Sequence, residues 1–173
     1  MKIANLIADM LTYSKERQPE YKLCCFNKIV EDTLMTAQGK ARDKKVELNS
    51  NLDPNIPNEV CIDPTGIYRV LLNLVLNGID AILHDRGKIL VDAKYDVDSD
   101  RIHISVSDNG CGIPQNIAAR IFDPFFSTKG SGGTGLGLAV TQKIVKEHQG
   151  AISLKSVVNK GTTFTILLPA KRA

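Results

Sequence analysis

Two clusters of glycine lie in one stretch of the chain, residues 108–138, and this stretch constrains the fold more than any other. Glycine adopts positive φ without strain and lets a ligand approach the backbone closely. The first cluster follows Asp108, and the second opens an apolar segment with helical periodicity. Because the free N–H groups and the dipole at a helix N-terminus favour an anion, the second cluster suits phosphates. The stretch therefore fits a nucleotide, with its base at the first cluster and its phosphates at the second.

The bulk properties narrow the classes of function. The 173 residues are enough for one domain with a hydrophobic core, and the formal net charge of +3 gives no reason to expect nucleic acid as a partner. The four cysteines contain no C-x-x-C pair, so reduced thiols are expected. Reduced thiols favour a cytoplasmic location. No apolar run reaches transmembrane length, which predicts only that this piece is soluble, since a longer parent protein could carry a membrane anchor.

Hydrophobic periodicity predicts both helices and strands. Helices are expected at residues 2–16, 27–43, 65–84 and 135–148, and strands at 21–23, 46–52, 60–62, 88–95, 101–107, 151–156 and 162–168. The elements come in blocks rather than in strict alternation. This order favours an α+β fold, a two-layer α/β sandwich in which helices cover one face of one mixed, mostly antiparallel sheet.

Three polar residues share one face of the predicted helix at residues 65–84. Asn73, Asn77 and Asp80 are four and three residues apart, which places them in one stripe. One interpretation is a solvated face. Apolar residues crowd both sides of the stripe, however, and a buried polar group without a partner is costly. Because an amide oxygen is a hard ligand that suits Mg²⁺, Asn77 is the candidate metal ligand and Asn73 a candidate for holding a phosphate or a water.

The first glycine cluster, DNGCG at residues 108–112, directly follows a predicted strand. A carboxylate at a strand end can accept a hydrogen bond from the exocyclic amine of adenine, whereas guanine has a carbonyl at that position. Asn109 followed by Gly110 is also the usual signal for a type I′ hairpin turn. The residues that follow do not form the partner strand of a hairpin, which favours the base-binding interpretation and leaves the turn as the alternative.

A phenylalanine pair precedes the second glycine cluster, in FDPFFSTK at residues 122–129, and predicts a mobile lid with an apolar latch. Gly130, Gly132 and Gly135 satisfy G-x-G-x-x-G, but no strand precedes them and no acid follows at the expected position, so a Rossmann site is excluded. The signatures of a Walker A loop and of a eukaryotic-type protein kinase are absent as well. A phosphate-binding loop that leads into a helix remains, and Lys129 is placed to meet a terminal phosphate, with a solvated lysine as the alternative.

Four sequence boxes resemble those of bacterial sensor histidine kinases. NLVLN (73–77), DNGCGIP (108–114), FDPFFSTK (122–129) and GTGLGL (133–138) resemble, in this order, the N, G1, F and G2 boxes of that family. The likeness extends over about residues 1–170. It implies the Bergerat-type nucleotide-binding fold that gyrase-type ATPases, heat-shock chaperones and mismatch-repair ATPases share, with ATP and Mg²⁺ as cofactors.

The resemblance also implies roles for individual residues. An Asp that matches Asp108 binds the adenine amine, an Asn that matches Asn77 binds Mg²⁺, and Asn73 supports the phosphates. The glycines of residues 133–137 wrap the phosphates. Asn73, Asn77 and Lys129 are accordingly the predicted catalytic residues, with Asn77 as the metal ligand.

The base pocket is implied in the same way. A Thr that matches Thr162 helps to hold the base through water, and Ile113 and Leu136 line the pocket. The full set of predicted nucleotide-binding residues is Asn77, Asp80, Asp108, Gly110, Gly112, Ile113, Lys129, Gly133, Thr134, Gly135, Leu136, Gly137, Leu138 and Thr162.

The beginning of the chain resembles the end of a second dimerisation helix. Residues 1–18 are expected to be the truncated end of that helix with its hinge, and residues 19–173 the catalytic ATP-binding domain. A phosphoacceptor His in an H-E/D motif is not in the sequence, and His84, His103 and His148 are expected to have surface or packing roles. The implied partners are a dimerisation and phosphoacceptor domain outside this sequence and a response regulator receiver domain, in a homodimeric parent.

Position 73 bears on whether the implied reaction is transfer or hydrolysis. Hydrolysing relatives use a Glu one helical turn before the Mg²⁺-binding Asn to activate water, and the amide of Asn73 cannot act as a base. Transfer of the γ-phosphoryl group to an external histidine, in two-component signal transduction, is therefore expected. The alternatives are a Ser/Thr protein kinase of the anti-sigma-factor type, an ATP-driven conformational clamp of the gyrase or chaperone type, and a catalytically dead binding module.

Overall fold

A computed structural model describes residues 18–128 and 133–170 of the chain. The predicted helix at residues 2–16 and the predicted phosphate ligand Lys129 lie outside these described residues. The boundary between a dimerisation stub and a catalytic domain at residue 18 therefore stays a prediction.

The described residues form helices and strands close to those that the periodicity predicts. In chain order the elements are β1 (Lys22–Cys24), α1 (Phe26–Asp43), β2 (Val46–Leu52), β3 (Val60–Ile62), α2 (Pro64–Ala81), β4 (Gly87–Asp96), β5 (Arg101–Asp108), α3 (Gln115–Ala118), α4 (Gly137–Glu147), β6 (Ala151–Val157) and β7 (Gly161–Pro169). The short helix α3 follows the first glycine cluster and has no counterpart among the predicted elements.

The main sheet has five strands in the order β2-β4-β5-β7-β6. Strands β2 and β4 are parallel, and the other neighbouring pairs are antiparallel. Burial alternates along β4, β5 and β7, with apolar side chains on the face that packs against the helices. The predicted sandwich with a mixed, mostly antiparallel sheet and helices on one face is therefore confirmed.

A second, two-stranded sheet pairs β1 with β3, so the prediction of one sheet is wrong in this respect. The strands are antiparallel, with Lys22 opposite Ile62 and Cys24 opposite Val60. Alternation along a short strand predicts that it will pair but does not identify its partner.

Helix α2, which carries the polar stripe, begins and ends at clear signals. Asp63 caps its N-terminus, because the Asp63 Oδ1 atom accepts hydrogen bonds from the N–H groups of Thr65 at 3.0 Å and Gly66 at 3.1 Å. The helix ends at Ala81, three residues before the predicted end at residue 84. Ile82, the next residue, already has an extended backbone (ψ 122°). Its side chain is 3 % exposed, so it is buried although it lies outside the helix.

His148 links the end of α4 to the start of α2 through hydrogen bonds. It is buried, its Nε2 atom accepts a hydrogen bond from the Asp63 N–H at 3.2 Å, and its Nδ1 atom lies 2.7 Å from the Ile144 carbonyl oxygen. The expected packing role is confirmed for this histidine. All four cysteines are free thiols, also as expected. Within residues 18–128 and 133–170, no helix combines the length and apolar character that crossing a membrane requires.

Candidate functional site

A cavity of about 490 Å³ lies between α2, the end of the sheet and the two glycine clusters. This volume falls in the range of small-molecule sites. The wall is formed by Asn73, Asn77, Gly78, Asp80, Ala81, Asp108, Cys111, Gly112, Ile113, Pro114, Ile117, Ile121, Phe126, Ser127, Thr128, Gly133, Thr134, Gly135, Gly137, Leu138, Thr162 and Phe164. The structure thus brings twelve of the predicted site residues to one cavity, namely Asn73, Asn77, Asp80, Asp108, Gly112, Ile113, Gly133, Thr134, Gly135, Gly137, Leu138 and Thr162.

One end of the cavity, called the base end here, is built by a row of residues across adjacent strands. Asp108 at the end of β5 is opposite Thr162 on β7, and Thr162 is opposite Ser156 on β6. Two glycines pack closely around this residue: a Cβ atom at Gly161 (φ +117°) would overlap the Asp108 carbonyl, and one at Gly78 would lie 2.7 Å from the Ile89 Cδ1 atom and 3.2 Å from the Asp108 Cβ. The backbone of β7 and of α2 therefore lies close to Asp108 on two sides.

The carboxylate of Asp108 is held in place by backbone donors. Its Oδ1 atom accepts hydrogen bonds from the N–H of Gly110 at 2.8 Å and from the N–H of Thr162 at 3.3 Å. Burial raises the pKa of the Asp108 carboxyl above its ordinary value, while the two N–H donors act in the opposite direction. A desolvated carboxylate with a fixed orientation is well suited to accept a hydrogen bond from an amine of a ligand.

The first glycine cluster turns the chain beside this carboxylate. Gly112 has φ +68°, and a Cβ atom there would overlap the Val157 carbonyl on the β6–β7 hairpin. The next N–H, that of Ile113, donates to the Ser156 Oγ atom at 2.7 Å. Strand β5 pairs with β4 and β7 rather than with the residues after Gly110, so the type I′ hairpin alternative does not apply. Gly110 is itself not on the cavity wall and serves as a donor to Asp108.

The opposite end of the cavity, called the phosphate end here, begins with the amides of α2. The Asn73 Nδ2 atom donates to the Thr141 Oγ1 atom at 2.9 Å, and the Asn77 Nδ2 atom lies 3.5 Å from the Asn73 Oδ1 atom. Both asparagines are half-buried, so the alternative of a solvated face does not apply. A Cβ atom at Gly137 would lie 2.5 Å from the Asn73 Oδ1 atom, which shows how closely α4 approaches this helix.

Asp80, the third member of the stripe, lines the cavity but is engaged by a lysine of α1. The Asp80 Oδ1 atom lies 2.6 Å from the Lys40 Nζ atom and 4.0 Å from the Lys44 Nζ atom. Lys44 also donates to the carbonyl oxygens of Ile79 and Asp80, each at 3.3 Å, and so satisfies carbonyls of the last turn of α2. The Asp80 carboxylate is therefore paired with a cation of α1.

The second glycine cluster crosses the phosphate end and leads into α4. Gly135 (φ +67°) packs so closely on the backbone of Phe125 that a Cβ atom would overlap it, and Phe125 itself has φ 66°, an uncommon conformation for a non-glycine residue. The Leu136 N–H donates to the Thr134 Oγ1 atom at 3.3 Å. Leu136 is fully buried and does not line the cavity, unlike the other described residues of this loop in the predicted set.

The phenylalanine pair before that loop is divided between the cavity and the surface. Phe126 lines the cavity, with the Arg120 guanidinium 4.7 Å from its ring centroid, whereas Phe125 is 64 % exposed. Phe122 makes an edge contact with Phe164 on the sheet at 6.4 Å between ring centroids. The segment therefore contributes one aromatic ring, that of Phe126, to the cavity wall. The mobile lid with its apolar latch stays a prediction.

Sequence reasoning missed Ser156 and part of the apolar wall. Ser156 contacts the base end from outside the cavity, and Ile117, Ile121 and Phe164 add apolar surface to the wall. Ser156 follows the alternation of β6 onto the face that carries Ile152 and Leu154, so a polar residue at a partly buried position was the available signal.

The donor set fits a magnesium ion that takes few protein ligands. Among residues 18–128 and 133–170, no group of three or more His, Cys, Asp or Glu side chains could hold a metal ion. Mg²⁺ commonly keeps several waters and binds through one or two protein oxygens together with substrate phosphates. The amide of Asn77 on the cavity wall is compatible with that type of site.

A family model and several curated proteins match this chain. The model described as histidine kinase-, DNA gyrase B-, and HSP90-like ATPase matches residues 62–172. The signal transduction histidine-protein kinase AtoS of Escherichia coli (strain K12) is 40% identical over 167 residues, which are 96% of this chain and 27% of that protein. Sporulation kinase E of Bacillus subtilis (strain 168) is 34% identical over 171 residues, which are 99% of this chain and 23% of that protein. The chain thus spans about a quarter of the length of these relatives.

Solved structures match the described fold. A structure of the catalytic domain of the histidine kinase ThkA has a TM-score of 0.76 and 31% identity, and the match covers 88% of this chain and 99% of that one. A complex of ThkA with the response regulator protein TrrA has a TM-score of 0.80 and 29% identity over 98% of this chain and 48% of that one. Full-length ShkA in complex with AMPPNP has a TM-score of 0.88 at 23% identity, over 99% of this chain and 36% of that one, a likeness of fold.

Proposed function

This chain belongs to the family of histidine kinase-, DNA gyrase B- and HSP90-like ATPases, as the catalytic ATP-binding domain of a sensor histidine kinase, and we propose that it binds Mg-ATP and transfers the γ-phosphoryl group to a histidine of a dimerisation domain. The predicted resemblance to sensor histidine kinases is thereby confirmed. ATP is the nucleotide of this family, and the Mg²⁺ ion, the roles of single residues and the partners are part of the proposal.

The observation that carries the proposal is that a carboxylate lies at one end of the cavity and two side-chain amides lie at the other. The half-buried carboxylate of Asp108 accepts hydrogen bonds at the base end, and the amides of Asn73 and Asn77 line the phosphate end. Helix α2 connects the two, because Gly78 packs against Asp108 one residue after Asn77. A nucleotide is a ligand with an amine at one extremity and anionic oxygens at the other.

The polar groups at the phosphate end favour transfer over hydrolysis. A general base must take a proton from the attacking water, and the described amide of Asn73, which donates to Thr141, cannot do so. In the transfer reaction the bond between the γ-phosphorus and its bridging oxygen breaks, ADP leaves, and a bond forms between phosphorus and an imidazole nitrogen. Positioning and charge stabilisation supply most of the catalysis in such a reaction. We assign the metal ligand to Asn77 and keep Lys129 as the cation for the terminal phosphate.

The partners follow from the reaction. Residues 1–18 are proposed to be the end of a dimerisation helix, and residues 19–173 the catalytic domain. The phosphoacceptor histidine is proposed to lie on the dimerisation domain of a homodimeric parent, and a response regulator receiver domain to take the phosphoryl group from it, since a ThkA–TrrA complex exists for a relative of the same fold. The proposed location is the cytoplasm, with or without a membrane anchor in the parent.

The test is a reconstituted transfer. The chain is mixed with γ-labelled ATP, Mg²⁺ and the separately prepared dimerisation domain of its parent, and acid-labile, alkali-stable label on that domain is expected. Omission of Mg²⁺ and replacement of the acceptor histidine by glutamine are the controls. ATP binding with label released only as inorganic phosphate would favour a conformational clamp, and label on serine or threonine would favour the anti-sigma-factor type of kinase.

A further inference from the structure

Ser156, which does not line the cavity, is hydrogen-bonded to three groups that shape the base end. Its Oγ atom accepts from the Ile113 N–H at 2.7 Å, lies 3.1 Å from the Gly161 carbonyl oxygen, and lies 2.9 Å from the Thr162 Oγ1 atom. Ser156, Thr162 and Asp108 form one row across β6, β7 and β5. The serine is therefore one residue removed from the group that a base would meet.

The direction of each hydrogen bond follows from what each group can donate. The Ile113 N–H can only donate, and the Gly161 carbonyl oxygen can only accept. Ser156 has a single hydroxyl hydrogen, so it donates either to Gly161 or to Thr162. All three bonds exist together only when Ser156 donates to Gly161 and the Thr162 hydroxyl donates to Ser156. A network in which every member is satisfied is the stable arrangement for a partly buried group.

The consequence concerns the cavity side of Thr162. Thr162 is 4 % exposed and lines the cavity. When its hydrogen points to Ser156, its hydroxyl oxygen presents only lone pairs to a ligand. The Asp108 carboxylate, as an anion, is also only an acceptor. The base end then offers two neighbouring acceptors, which match the amine of adenine and repel the carbonyl oxygen that guanine has at the same position.

We propose that Ser156 is a positioning residue for base selection: it fixes the Thr162 hydroxyl as a hydrogen-bond acceptor and so strengthens the preference for adenine over guanine nucleotides. The inference rests on the proposed function, since it requires the base of a nucleotide at this end. It adds a residue outside the four boxes and assigns it an effect on selectivity rather than on overall affinity.

The test compares ADP with GDP by calorimetry in the whole chain, because the two share the same phosphates and their affinity ratio reports only the base end. Ser156→Ala frees the Thr162 hydroxyl to rotate and donate to guanine, so the ratio of ADP to GDP affinity is expected to fall about fivefold, the weight of one hydrogen bond. Ser156→Thr keeps a hydroxyl and is expected to retain the ratio. Ser153→Ala, the same change on the exposed face of β6, is the matched control.

A double variant separates selection from structure. In a Thr162→Val background, which keeps the shape but lacks the hydroxyl, Ser156→Ala is expected to leave the ADP to GDP ratio unchanged. If Ser156→Ala lowers both affinities by the same factor, or changes the ratio equally with and without the Thr162 hydroxyl, the inference is overturned. If the unmodified chain binds neither nucleotide, the proposed function itself fails, which is a different and recognisable result.

Discussion

The two ends of the cavity are built in different ways. At the base end, neighbouring strands β5, β7 and β6 place Asp108, Thr162 and Ser156 in one row, and hydrogen bonds between strands fix each group. At the phosphate end, one face of α2 meets a loop that touches itself at Phe125 and Gly135. Under the proposed function, sheet register therefore determines which base is recognised, whereas the geometry of transfer depends on a helix and a loop from separate parts of the chain.

The largest effect is expected from a substitution that removes the proposed metal ligand and leaves the base end unchanged. Asn77→Ala should lower the rate of Mg-ATP-dependent phosphoryl transfer by at least about 100-fold, because the developing charge loses its positioned counter-charge. ADP binding without Mg²⁺ should stay close to that of the unmodified chain, since the base end is untouched. The assay is label transfer to the separate dimerisation domain. Asn49→Ala on β2, an exposed position, is the control, and unchanged transfer in Asn77→Ala would refute the metal assignment.

The second-largest effect is expected on ADP affinity, from a substitution that removes the negative charge at the base end. Asp108→Asn should weaken ADP binding by about 10- to 100-fold, the range for a hydrogen bond to a charged group. Titration calorimetry measures it. Asp98→Asn in the exposed β4–β5 turn is the matched control. If ADP affinity is intact in Asp108→Asn, the carboxylate does not hold the base.

Asp108→Asn, which should weaken ADP binding, should increase the stability of the fold at neutral pH. Because burial raises the pKa of Asp108 in the folded chain, the folded chain keeps this proton to a higher pH than the unfolded chain does. The contribution of Asp108 to the free energy of unfolding is therefore highest below its unfolded pKa of about 3.9 and falls as pH rises through the folded pKa. At neutral pH, Asp108→Asn should raise the melting temperature, and the gain should disappear in acid. A loss of stability at neutral pH would contradict the sign.

A smaller effect tests the contact between the helices at the phosphate end. A methyl group in Gly137→Ala would meet the Asn73 Oδ1 atom at 2.5 Å, so Asn73 must move. Transfer should fall about tenfold through misplacement of this amide, with the ADP to GDP ratio unchanged. Gly39→Ala, whose Cβ meets nothing within 4 Å, is the control. That control should raise the free energy of unfolding by about 0.5–1 kcal/mol through helix propensity and leave transfer unaffected.

The smallest expected effect concerns the charge of Asp80 on the cavity wall. Lys40→Ala removes its nearest described cation, so ATP affinity should fall by less than about fivefold, as for other half-exposed ion pairs. The loss should be larger for ATP than for ADP and larger at low salt, because it is a repulsion between charges. Adding Asp80→Asn to Lys40→Ala should restore the affinity. If Lys40→Ala and the double variant bind ATP with equal affinity, the Asp80 carboxylate does not meet the phosphates.

Much of the fold could be predicted because the signals are local. The alternation of β4 and β5 and the apolar stripe of α2 each follow from one face being buried. The periodicity places the end of α2 three residues too late, because Ile82 is apolar and continues the helical pattern while the backbone has already become extended. The pairing of β1 with β3 does not follow from the sequence, because pairing is a property of two distant segments.

The residues of the candidate site also differ in whether a local sequence signal identifies them. Asp108, Asn77 and the glycines stand in short motifs, so their residue types and spacing are enough to indicate their chemistry. Ser156 belongs to no motif, and its significance depends on the register that puts it opposite Thr162. Leu136 illustrates the converse, since it stands within a motif yet is fully buried away from the cavity wall.

Helix α2 carries Asn73 at one end of the cavity and Ala81 at the other, and each residue of an α-helix advances about 1.5 Å and turns about 100°. A single inserted or deleted residue between them would rotate one group of wall residues out of the cavity while the other stayed. A change of length within this segment should therefore displace more of the cavity wall than any single substitution does. Gaps in alignments with remote relatives, and junctions in chimeric proteins, belong outside residues 73–81.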